Sequence, residues 1–277
     1  MKQLKIMTRN SICLAITSKG FLISLLTGIL LCVSQYFQEV YSVSEYLYIY
    51  KKNWPSMLVP HTVFTKWIGG ESYSFQYFAF FILIPLLATL PAGATIASDF
   101  KSKYINNLLT RSNREYYFIS KIIAAFFVGG VVTIIPLLIN LYLTAITLPS
   151  ILPNNATGFF AIRNGYVGAD IFYSNPYLYI FMFVVFIYFF SGMVAACATS
   201  LGINGIKPFV IVIYPFLVSL TLYSILGELH LYSWIPFCFL NPAQLYILKP
   251  FPVICEMVIM QIIIIGEYFK GKKLDVL

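Results

Sequence analysis

The 277 residues are 60% hydrophobic and only 10% charged, with a mean hydropathy of +0.83, whereas soluble domains carry about 25% charge. That balance excludes a soluble enzyme, a disordered chain and a collagen-like one. The net charge of +8 comes from Lys and Arg scattered between apolar runs, a pattern that fits orientation in a membrane and not nucleic-acid binding.

Residues 1–18 carry Lys2, Lys5 and Arg9 without an acid and are expected to form a short, partly amphipathic helix at the cytoplasmic membrane surface. No small-x-small cleavage site follows the first apolar run, about 21–37, so it is expected to stay as a span. The second run, 75–97, contains Pro85 and Pro91, which predict a kink. The third, 117–147, contains Pro136 and Asn140 and reads as a helix that is tilted, broken or longer than the bilayer. The fourth and fifth cover 176–200 and 208–226. Residues 229–252 are apolar and aromatic but interrupted by Pro236, Pro242, Pro250 and Pro252. Non-helical backbone at membrane depth survives only when shielded by protein or water, so a re-entrant or interfacial outer segment is expected there. The last run is 253–268. The expectation is an all-α membrane protein, one transmembrane domain over 1–277, with six transmembrane helices of about 20 residues each.

With both termini cytoplasmic, 13 of the 18 Lys and Arg fall on inner segments and 5 outside, namely Lys51, Lys52, Lys66, Arg163 and Lys249. Positive charge near span ends favours the cytoplasmic side, so this count supports the six-span orientation. The longer outer loops are then about 38–74 and 148–175.

Catalytic chemistry finds no foothold. The chain lacks a GxxxxGK[ST] phosphate loop, an HExxH pair and a Ser/Lys or paired-Asp set within its spans. His61 and His230 stand far apart, and the five cysteines show no metal-ligand spacing. Cys238 and Cys255 are the one pair that could meet near the outer side. No metal, cofactor or enzymatic role is expected of the chain itself. Glu256 sits about one turn inside the last span, where a charge is costly and often functional. It either lines a substrate path, reaches the outer interface or pairs with Lys249. Gly192, Ala196 and Ser200 recur every four residues and give a smooth helix face, suited to a dimer or pore interface or to packing inside one subunit.

The longest inner loop runs from Asp99 to Lys121. If it is helical, Tyr104, Leu108 and Arg111 share a face. Such a helix could dock in a groove of a soluble partner, or the loop could simply be a basic membrane-surface segment. Its residues follow a pattern: Asp99, then Lys103-Tyr104, Leu108-Leu109, Arg111, Arg114, Tyr117 and Lys121. Together with Trp67-Ile68-Gly69 before the second run and Asn241-Pro242 in the interrupted stretch, this resembles the membrane-spanning permease subunits of type-2 ABC exporters. About forty residues carry the motif, and the topology covers the whole chain. This chain has Lys103-Tyr104 where many members show Gly-Thr.

The resemblance implies that Asp99, Lys103, Tyr104, Leu108, Leu109, Arg111, Arg114 and Lys121 belong to a coupling helix that docks on an ABC ATP-binding subunit. It implies an outer gate region around Asn241 and Pro242; Glu256 joins them as a candidate pathway residue from its place inside the last span and not from the resemblance. It also implies a second permease subunit, identical or different, in a plasma-membrane assembly whose separate ATPase subunits bind ATP and magnesium. Family members export peptides, bacteriocins and lantibiotics, sometimes for self-protection, as well as drugs, lipids or polysaccharides. The aromatic and apolar residues favour an amphipathic peptide or a hydrophobic drug. The rival readings are a secondary transporter, which would need polar groups at mid-span and often an internal repeat, and a structural membrane protein that does not transport.

Overall fold

A computed structural model describes residues 2–53, 61–109, 113–154, 162–163 and 165–273, and among these there is no β-strand. The chain opens with α1 (Lys2–Ile16), turns at Thr17 and Ser18, and continues as α2 (Lys19–Gln35). The Ser18 hydroxyl caps α2 by accepting the Phe21 amide at 3.1 Å. α2 then widens into a π-helical turn over Tyr36–Tyr41 and passes without a break into α3 (Ser42–Asn53). The first apolar helix therefore outruns the predicted 21–37 and takes up part of the expected outer loop.

After α4 (Val63–Lys66) come α5 (Phe75–Thr89), α6 (Thr95–Lys101) and α7 (Tyr104–Leu109). The predicted second run is thus divided at residues 90–94 and not merely kinked. Pro91 has no amide hydrogen to continue the ladder. Side chains from neighbouring helices take up the carbonyls around the break: Ser24 donates to Leu87 O at 2.7 Å, Ser18 to Pro91 O at 3.2 Å and Thr199 to Ala92 O at 3.3 Å. That is how a broken helix avoids unsatisfied backbone in an apolar setting.

α8 (Arg114–Thr147) is one continuous helix through Pro136 and Asn140, which removes the broken-helix alternative. At about 1.5 Å per residue its 34 residues reach about 51 Å, well beyond the roughly 30 Å of a hydrocarbon core. Short α9 (Ala169–Ser174) precedes α10 (Pro176–Leu201), which starts at an Asn175 cap and Pro176 in the first turn. α11 (Pro208–Glu228), the one-turn α12 (Pro236–Phe239) and α13 (Pro250–Lys273) complete the chain. Among the described residues five helical segments are long and apolar enough to cross a bilayer, 19–47, 114–147, 176–204, 208–228 and 250–273; α5, with 15 residues, is shorter. This is the architecture of a multi-pass membrane protein.

α8 and α10 approach most closely. A Cβ on Gly129 would lie 2.5 Å from the Ala195 Cβ, and one on Gly192 would lie 2.7 Å from Phe126 O. The small-residue face of α10 is therefore spent inside the subunit, with Gly192, Ala196 and Ser200 all buried. α1 packs along the start of α8: Ile12 and Ala15 join Ala88, Ala125 and Val128, while Met7 rests on a cluster that includes Tyr117 and Phe118. α11 and α13 stay peripheral, with apolar side chains such as Phe209, Ile225, Phe251 and Ile262 exposed. All five cysteines are free thiols, so Cys238 and Cys255 form no disulfide.

Candidate functional site

Two polar assemblies sit at opposite ends of the molecule, joined by α5 and α8. At the first, Asp99 on α6 meets the start of α8. Lys121 Nζ lies 2.9 Å from Asp99 Oδ2, and the Tyr117 hydroxyl donates to the same oxygen at 2.7 Å. Tyr117 is 1% exposed, and the ammonium stands 5.7 Å from the centre of its ring, within cation–π range. One carboxylate thus ties α6 to α8 through a pair that is largely shielded from water, where removing one partner is costly. Lys272 Nζ reaches Glu115 at 2.6 Å and adds the end of α13 to this region.

The rest of the Asp99–Lys121 loop divides in two. Lys103 stands at φ +56° between α6 and α7, a left-handed position that favours glycine. Tyr104 is 53% exposed, whereas Leu108 packs inward beside Ile96, Ile105 and Phe118. Leu109 ends α7 and Arg114 begins α8. Arg111 lies outside the described residues. Tyr104 and Leu108 both lie on α7 (Tyr104–Leu109), Tyr104 exposed and Leu108 turned inward. Beside it, a cavity of about 710 Å³ lies between α1, α7 and α8, lined by Met7, Leu14, Tyr104, Leu108 and Lys121 among others.

At the opposite end, residues 235–244 are all buried. Asn241 donates to the Tyr77 hydroxyl of α5 and accepts the Ala243 amide at 2.9 Å. The Tyr179 hydroxyl of α10 donates to Pro242 O at 2.6 Å. Gln244, itself at φ +42°, donates to Tyr179 and to Val167 O. Phe237 and Phe239 wedge among Tyr77, Phe78, Phe186, Phe190 and Tyr223. The middle of the interrupted stretch, 235–244, is thus a plug shielded by protein, as non-helical chain in an apolar setting must be, while its flanks, such as Leu231 and Ile247, are exposed.

Next to the plug lies a polar network that the sequence did not advertise. Lys66 Nζ is 2.9 Å from Glu71 and 3.3 Å from Glu39. Gln35 Nε2 donates to Glu71 at 3.0 Å, and Gln35 Oε1 accepts from Asn140 at 2.8 Å. Burial pulls the Lys66 ammonium down, but hydrogen bonding and charge from Glu71, then Glu39, outweigh it and hold it above its usual range. Burial raises the Glu71 carboxyl in spite of Lys66. Burial, then the Lys66 charge, lowers His61. Lys66, Glu71 and His61 line a cavity of about 380 Å³ together with Trp67, Arg163 and Tyr179. No signal short of the fold links Gln35, Glu71 and Asn140, since they stand in three separate segments with no shared spacing.

Glu256 lies in neither assembly. It faces a cavity between α10, α11 and α13, and among the described residues it forms no ion pair with Lys249, a residue that lines a different cavity. No group of three or more His, Cys, Asp or Glu among the described residues could hold a metal ion. Comparison with protein-family models, curated proteins and solved structures gives no match to this chain.

Proposed function

We propose that this chain is a permease subunit of an ATP-driven exporter of the type-2 ABC class, working in a plasma membrane with a second permease and separate ATP-binding subunits. ATP and magnesium belong to those partners; the chain itself forms the route. In this reading α5 with α6 serves as the sixth crossing, both termini are cytoplasmic, and residues 229–249 form an outer re-entrant gate. The substrate is an amphipathic peptide or a hydrophobic drug.

The observation that carries the reading is the Asp99–Tyr117–Lys121 cluster. A surface loop free to move would cushion any push from a docked partner. Here the loop carrying exposed Tyr104 is anchored through Asp99 to α8, and α8 extends to Asn140, whose side chain holds Ile68 beside the plug. The first turn of α5 carries Tyr77, which holds Asn241. A displacement at the loop therefore has one unbroken helical path to the gate, along α8, and a second through α6 and α5 across the break at 90–94.

The test is affinity purification in mild detergent, with identification of the proteins that accompany the native chain and a variant carrying Tyr104→Glu, Arg111→Glu and Arg114→Glu. An ATP-binding subunit is expected with the native chain and lost with the variant. A native chain that retains no ATPase under gentle extraction overturns the reading in favour of a carrier or a structural protein.

A further inference from the structure

α11 and α13 both pack against α10 but hardly against each other, which leaves a cleft with α10 as its floor. The cleft encloses a cavity of about 360 Å³, within the usual size of a small-molecule site. Its walls are almost wholly apolar: Phe190 of α10, Val218 of α11 and Met260 of α13 represent them, with the Trp234 ring toward the plug end. Among the lining residues Glu256 is the sole charged group; Tyr214, Ser219 and Cys197 are the polar ones nearby.

An ionised carboxylate alone in such a place is costly and is relieved either by taking up a proton or by an opposite charge, and a cation that enters the cleft favours its ionised form. The described residues supply no cation: Glu256 has no ion pair, and Lys249 lines another cavity. The open side of the cleft lies between two helices whose outer faces are apolar, so a ligand already dissolved in the bilayer has direct access. We propose that this cleft binds a lipophilic monocation, its hydrocarbon body against the apolar walls of α10 and α11 and its positive centre against Glu256. The charge complementarity selects this occupant over a neutral lipid or an anion. The inference deepens the exporter reading by naming its substrate class, and it rests on that reading only for transport; binding stands by itself.

The experiment uses the full chain purified in detergent, without any ATPase. Equilibrium dialysis measures tetraphenylphosphonium as the lipophilic cation and triphenylphosphine oxide as its neutral counterpart. The native chain is expected to bind the cation saturably, Glu256→Gln to weaken it at least tenfold while leaving the neutral compound unchanged, and Val218→Trp, which fills the cleft, to abolish both. Equal cation affinity in the native chain and Glu256→Gln overturns the proposal. So does an absence of saturable binding to the native chain, the outcome expected if lipid or a second copy of the chain fills the cleft. Cation binding without an ATPase partner would retain the site and sink the exporter; an ATPase partner without cation binding would do the reverse.

Discussion

Asn140 of α8 accepts the backbone amide of Ile68 at 2.8 Å through its Oδ1, pinning the loop that follows α4 to the longest helix. Its amide nitrogen donates to Cys32 O at 2.9 Å and to Gln35 Oε1 at 2.8 Å, so one fully buried side chain joins three segments. Replacing it with Leu strands the Ile68 amide and Gln35 in a dry site, where each unsatisfied group costs about 1–3 kcal/mol. Asn140→Leu is expected to lower stability by about 3 kcal/mol, read as a fall in thermal midpoint in detergent. A variant as stable as the native chain would show that water reaches this network.

The Asp99–Lys121 pair makes a prediction about coupling and not only about stability. Both side chains are mostly buried, at 17% and 12% exposure, so Asp99→Asn leaves Lys121 without its counter-charge and should cost about 3 kcal/mol. Lys121→Met should cost less when Asp99 is already Asn. A double-mutant cycle is expected to give an interaction energy of about 1–3 kcal/mol. Strict additivity would mean that the pair is too well solvated to anchor the loop.

Acidity should act on the Lys66 network with a definite sign. Glu71 is raised by burial against the pull of Lys66, so the folded chain takes up its proton more readily than the unfolded one. The cost of holding the ionised carboxylate disappears as pH falls through the folded value. His61 is lowered, first by burial and then by the Lys66 charge; the stability tied to it is present above its ordinary 6.5 and lost as pH falls through the folded value. Lys66→Met removes the counter-charge of Glu71 and relieves His61. The variant should therefore lose about 3 kcal/mol near neutral pH and clearly less near pH 5. Equal losses at both pH values in thermal unfolding would contradict this account.

Two glycines should respond oppositely to the same change. An alanine is worth up to about 1 kcal/mol over glycine in an exposed helix. At Gly266 of α13 an added Cβ meets nothing within 4 Å, so Gly266→Ala should be neutral or stabilising by about that amount. At Gly129 it would lie 2.5 Å from Ala195 and 2.9 Å from Ala88 O, forcing α8 away from α10 and α5. Gly129→Ala should cost about 1–3 kcal/mol. Comparable damage at both sites would mean that α13 is packed against another chain.

Much of the fold was legible because bilayer thickness imposes a length on apolar runs that composition reveals directly. The runs at 176–200, 208–226 and 253–268 correspond to α10, α11 and α13 within a few residues. The ends of the first run and the division of the second were not legible. Continuation past residue 37 depends on a π-helical turn, and the break at 90–94 is tolerated only because Ser18, Ser24 and Thr199 arrive from elsewhere to satisfy its carbonyls. The grouping of Asp99, Tyr117 and Lys121 came from a resemblance to a motif; their shared contact is geometry that spacing alone does not give.

The sequence by itself determined that this protein is helical, apolar and built from bilayer-length segments, because those properties sum over many residues and do not depend on which segments touch. Tertiary structure alone decided where the few polar side chains go. Gln35, Lys66, Glu71 and Asn140 converge on one network, whereas Glu256 is left alone in an apolar cleft. Buried hydroxyls such as Ser120 and Thr144 bond within their own helix turn, but the longer side chains of Gln35, Lys66, Glu71 and Asn140 reach partners in distant segments, and that choice is made by helix packing, which no local pattern encodes.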